Sequence, residues 1–216
     1  MERTVLLLVA ICSFILIFYA PTGFCAGRRF LNQTSHQTHF YTVWTRDGTK
    51  TTCYNTKCPG FQPEGGASIV PGGIIDTVTQ LPNGVKQKLS LKLLKDSASG
   101  GDWLLYYGLN RDADELIGRF PKSIFTGLAD KATDMQFGGI VAGQQNQVPM
   151  GSGFLPPSAA AASFTNVQLV DSSGQASLVT RQLPRLVTDP NLYDITPIAN
   201  GAFSYRGPSN KLYPRN

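Results

Sequence analysis

Residues 86–95 read Lys86-Gln87-Lys88-Leu89-Ser90-Leu91-Lys92-Leu93-Leu94-Lys95, and this stretch decides the fold class. Leu89, Leu91 and Leu93 alternate with Lys88, Ser90 and Lys92, which is the period of a strand with one buried and one wet face. Pro82-Asn83-Gly84 before it is a hairpin-type turn signal, and Asp96 to Gly101 after it is a second turn rich in Ser and Gly. Trp103 to Leu109 then supplies the partner strand. Working outward, Phe40 to Thr45 is another strand, with Tyr41, Val43 and Thr45 on one side. Val167 and Leu169 alternate with Asn166 and Gln168 up to the turn Asp171-Ser172-Ser173-Gly174, and Phe203 to Tyr205 is a last strand. One short helix is expected: Pro121 suits a first helical position, and Ile124, Phe125, Leu128 and Ala132 follow at helical spacing. Evenly spread Gly and Pro fit many short strands joined by turns. The expectation is an all-β fold, an antiparallel β-sandwich with one short helix.

The N-terminus speaks of compartment. Val5 to Ala20 is an apolar run without a charge, behind the polar start Glu2-Arg3. With the small-residue site ending at Gly23-Phe24-Cys25, residues 1–25 read as a signal peptide cut before Ala26. The competing reading is an uncleaved anchor, for which the run is short of the roughly 20 apolar residues of a span. The expected organisation is thus a leader over 1–25, a polar segment over 26–39 and one domain over 40–216. The mature protein would be secreted and not stably inserted in a membrane. Asn32-Gln33-Thr34 is a glycosylation sequon in the polar segment. Loss of the leader removes Cys12 and Cys25 and leaves Cys53 and Cys58. In an oxidising compartment this close pair reads as a local disulfide. The alternative is a zinc site completed by His36 and His39, but both histidines precede the cysteines, against the usual order. The expectation is no metal and no cofactor.

The net charge of +5 raises the question of a polyanion. The densest basic group is Lys86, Lys88, Lys92 and Lys95, of which the first three share one strand face and read as a solvated surface. No aromatic platforms interleave with them, so nucleic acid is not an expected partner. Acidic cell-wall polysaccharide or extracellular peptides are. Nucleophile chemistry finds little support. Gly151-Ser152-Gly153 is not a nucleophile elbow, because position 150 is methionine. Carboxylate chemistry needs two acids on one water with their pKa values pushed apart. The glutamates are Glu2, Glu64 and Glu115. Glu2 leaves with the leader, and the other two lie in polar turns where solvation is expected.

Tyr41-Thr42-Val43-Trp44-Thr45-Arg46-Asp47-Gly48 followed by Cys53-Tyr54-Asn55-Thr56-Lys57-Cys58-Pro59-Gly60-Phe61 resembles the neprosin domain of plant glutamic peptidases. Lys95-Asp96 with Asp102-Trp103-Leu104, Phe120-Pro121-Lys122-Ser123-Ile124-Phe125, Phe137-Gly138-Gly139, Met150-Gly151-Ser152-Gly153 and Val170-Asp171 continue the resemblance in order, from Phe40 to the C-terminus. It implies a sandwich of antiparallel sheets and metal-free endopeptidase cleavage near proline by two glutamates. It also implies a candidate cleft around Phe137, Gly138, Gly139, Met150, Gly151, Ser152 and Gly153. One family glutamate follows the Gly-Gly pair, where this chain has Ile140; the other lies upstream of the matching region. Leu192 and Tyr213 stand where the family has a second pair of cysteines. The resemblance therefore implies a secreted non-catalytic binding or structural domain. The alternative is an active glutamic endopeptidase using other acids. A third reading is a shortened gene product, whose missing first strands would leave sheet edges bare.

Overall fold

The structure, a computed structural model, describes residues 8–11, 14–19, 38–46, 52–75, 86–98, 100–139 and 161–207. The chain clusters into two compact units, one holding Leu7–Tyr19 and Gln37–Phe137, the other holding Gly138–Asn216.

In the first unit the strands are β1 (Leu8–Ile11), β2 (Phe14–Tyr19), β3 (His39–Thr45), β4 (Thr52–Tyr54), β5 (Gln62–Pro63), β6 (Leu89–Asp96), β7 (Asp102–Leu109), β8 (Glu115–Phe120) and β9 (Met135–Gly138). They make a five-stranded sheet in the order β4-β3-β2-β1-β9 and a four-stranded sheet in the order β5-β8-β7-β6. The alternating Leu89, Leu91 and Leu93 lie on β6. It pairs antiparallel with β7 from Leu89 opposite Leu109 to Asp96 opposite Asp102. The turn between them closes with the Gly101 amide donating to the Asp96 carbonyl at 2.8 Å. Gly100 and Gly101 take φ of 79° and 102°, a region where side chains are strained.

The two sheets share one core. Phe40 and Trp44 on one face of β3 pack with Trp103, Leu105 and Tyr107 of β7 and with Ile117 and Phe120 of β8. Ring contacts cross between the sheets, with Phe40 and Tyr107 centroids 5.9 Å apart. Leu89, Leu91 and Leu93 pack against the same core, while Lys86, Lys88 and Lys92 are exposed, as the alternation requires. Tyr106 lies beneath Lys92, with the ammonium 4.2 Å from its ring centroid, so the basic face does carry one aromatic, supplied by the neighbouring strand.

Two expectations need correction. The short helix is two separate 3₁₀ turns, Lys122–Ile124 and Gly127–Ala129, with Phe125 extended between them at φ −111° and ψ 156°. Thr126 and Gly127 are poor helix formers in mid-helix, and they split the pattern. The spacing still buried the right side chains, because Phe125 and Leu128 are both core residues. Glu115 was expected in a solvated turn but opens β8, opposite Tyr107. A third observation concerns the apolar run read as a leader. Its residues Phe14–Tyr19 pair antiparallel with β3, from Phe14 opposite Trp44 to Tyr19 opposite His39, and Leu8–Ile11 pairs with β2 in turn. A run rich in Ile, Val and Phe satisfies strand propensity as readily as a leader's need for apolarity.

The second unit carries β10 (Ala162–Phe164), β11 (Gln168–Val170), β12 (Ala176–Leu178), β13 (Asp194–Ile195) and β14 (Phe203–Arg206). β14 lies between β10 and β13, and β11 forms a hairpin with β12. Its core is aromatic: Phe164 stacks on Phe203 at 4.7 Å and 14°, and Phe164 meets Tyr205 at 5.7 Å. Burial pushes the Tyr205 hydroxyl well above the ordinary tyrosine range, so it stays neutral.

Candidate functional site

The disulfide loop is the most fully built of the motifs. Cys53 and Cys58 are bonded to each other, with Cα atoms 5.8 Å apart. Asn55, inside the loop, has φ 50° and is buried. Its side-chain oxygen accepts from the Thr42 amide at 2.9 Å, and its own amide donates to the Thr42 carbonyl at 2.8 Å. The loop is thereby sewn to the middle of β3. Gly60 presses on the Trp44 indole, where a Cβ would come within 2.2 Å of the ring. Residues 72–75 continue the same edge: the Phe40 amide donates to the Gly73 carbonyl at 2.9 Å and the Gly72 amide to the Phe40 carbonyl at 2.7 Å. His39, once weighed as a zinc ligand, is buried with Nδ1 3.1 Å from the Gly72 carbonyl oxygen.

The candidate cleft is described only in part. Phe137 and Gly138 end β9, which lies at an edge of the five-stranded sheet, and Gly139 follows; all three are half-buried. Ile140, the segment Met150-Gly151-Ser152-Gly153 and the sequon residue Asn32 lie outside the described residues. Asp134, just before β9, is exposed and accepts a hydrogen bond from the Thr133 hydroxyl at 3.2 Å.

Both glutamates of the described residues sit elsewhere, on the ribbon that β5 forms with β8. The Glu115 carboxylate is held at both oxygens: Oε1 accepts from the Ser68 amide at 2.5 Å, and Oε2 accepts from the Ser68 hydroxyl at 2.7 Å and from Arg111 Nη2 at 2.6 Å. The Ser68 amide first, then the Ser68 hydroxyl, and then the Arg111 charge hold its pKa below the usual glutamate range. Glu64 follows β5, pairs with Arg119 at 3.6 Å and donates its amide to the Ile117 carbonyl. General-acid work near neutrality needs a raised carboxyl pKa, and Glu115 is shifted the other way. Sequence reasoning missed this clasp, although Arg111 and Glu115 are four residues apart and Leu116-Ile117 is a strand-forming start. Its third member, Ser68, is remote in sequence and gave no signal. Among the described residues no group of three or more His, Cys, Asp or Glu side chains is placed to hold a metal ion.

Antiparallel sheets around an aromatic core, with a disulfide loop sewn to an inner strand, define an all-β, disulfide-clasped protein. The neprosin family model matches residues 27–208, and the chain belongs to the neprosin family.

Proposed function

We propose that this neprosin-family chain is a secreted, non-catalytic domain that binds or organises extracellular peptides or cell-wall polysaccharide. The observation that carries the reading is Ile140, directly after Phe137-Gly138-Gly139. An isoleucine neither takes a proton from water nor gives one to a leaving amine, and loss of one member of a catalytic pair removes most of the rate. The remaining glutamates support the same reading, since Glu115 is held as an anion by Ser68 and Arg111 and Glu64 faces Arg119. The apolar run before Ala26 and the sequon at Asn32 support export.

The test is incubation of purified protein with quenched proline-containing peptides between about pH 2 and 6, around carboxylate pKa values. No turnover is expected. Turnover that disappears in Glu115→Gln or Asp134→Asn would overturn the proposal and restore an active glutamic endopeptidase. Export is checked separately by N-terminal sequencing of the protein from culture medium, with Ala26 expected as the first residue and Met1 counting against it.

A further inference from the structure

Thr180-Arg181-Gln182-Leu183-Pro184-Arg185-Leu186-Val187-Thr188 has neither helix nor strand. Main-chain bonding stops at Val179, which donates to the Val167 carbonyl and accepts from the Gly201 amide. It resumes at Asp189, whose carbonyl accepts from the Leu192 and Tyr193 amides. Among the described residues, no backbone group from 180 to 188 has a main-chain partner. Two side chains hold the segment instead: Gln182 Nε2 donates to the Ile198 carbonyl at 3.1 Å, and Arg185 Nη1 donates to the Ile195 carbonyl at 3.1 Å. Both contacts obey one antiparallel register, 182 with 198 and 185 with 195. The segment thus follows β13, the edge strand of its sheet, without forming a ladder. Pro184 has no amide to contribute to one.

A protease takes its substrate as an extended strand and forms main-chain bonds along it, so accessible segments whose backbone is unpaired are cut first. Here no ladder has to be opened. Pro184, Arg185 and Leu186 are all exposed, and Leu186 is 86% exposed, far more than any other large apolar residue described. We propose that the Arg185–Leu186 bond is a processing site for an arginine-directed serine protease. The Arg185 guanidinium, released from the Ile195 carbonyl, enters the acidic specificity pocket of such an enzyme. One water is consumed: its oxygen joins the Arg185 carbonyl carbon, the C–N bond breaks, and the Leu186 nitrogen leaves as an amine. The nicked chain stays together, because β14, after the cut, remains paired with β10, before it. The Gly201 amide still donates to the Val179 carbonyl, and the Gly201 carbonyl still accepts from the Val167 amide.

The experiment is limited trypsin digestion of the folded full chain, read by intact mass, N-terminal sequencing and gel filtration. Among bonds between residues 52 and 207, the first cut is expected after Arg185, giving a fragment that begins Leu-Val-Thr-Asp and co-elutes with the rest. Leu186→Pro, at an exposed position that leaves Arg185 in place, is expected to abolish that fragment. Earlier cleavage at any other bond in this range, Arg181 and Lys131 included, would overturn the proposal. So would a Leu186-terminated fragment from Leu186→Pro protein, or separation of the two pieces.

Discussion

Asn55 joins three demands at one residue: a left-handed φ of 50°, a buried amide side chain, and a bond to the Thr42 amide in mid-strand. Asn tolerates that backbone better than other side-chain-bearing residues. Asn55→Ala leaves the Thr42 amide without its acceptor and is expected to cost about 1–3 kcal/mol, measured as a lower urea midpoint at unchanged slope. Glu115 makes a prediction about pH. Its pKa is lowered on folding, so the stability it contributes is fully present above the ordinary glutamate value of about 4.3 and is lost as pH falls through the folded value. Glu115→Gln should be less stable than the parent at neutral pH, and its stability should fall less on acidification below about pH 4. Parallel profiles for the two proteins would show that the clasp contributes nothing.

At the scale of elements, legibility followed periodicity. β6, β7, β3 and β14 could be read because alternation or β-branched and aromatic runs are local signals. β8 could not: its buried residues Ile117 and Phe120 are three apart, a break in alternation where the register with β7 shifts between Leu105 and Tyr106. Gly118 lies between them with φ 153°, and a Cβ there would come within 2.4 Å of the Phe61 ring and 2.5 Å of the Gln62 carbonyl. The bulge therefore depends on glycine, and β5, which pairs with β8 on the side away from β7, is two residues long with no pattern of its own. Gly118→Ala is expected to cost on the order of 1–3 kcal/mol by overpacking, seen in denaturant melts. Faster amide exchange at Glu64, which donates to the Ile117 carbonyl, should accompany it. The candidate site was legible only by resemblance. Phe137-Gly138-Gly139 carries no chemistry, and the Ser68–Glu115–Arg111 clasp joins residues that only the folded chain brings together.

At the scale of the whole molecule, β3 is an inner strand. Phe40 and Thr42 spend their main-chain groups on Gly72, Gly73 and Asn55, so by strand alternation His39, Tyr41, Val43 and Thr45 turn theirs toward β2. β2 lies wholly within the residues that export would remove. Where a recombinant preparation starts therefore decides which protein is in the tube. A cytosolic product from Met1 keeps its inner strand; a product from Ala26 presents the backbone of those four residues as a bare template for any extended chain. At equal concentration the Ala26 form is expected to elute earlier than its mass allows, as a dimer or larger, and Val43→Pro, which deletes one amide of that row, should return it toward monomer. A monomeric Ala26 form would mean that another part of the chain has taken the place of β2.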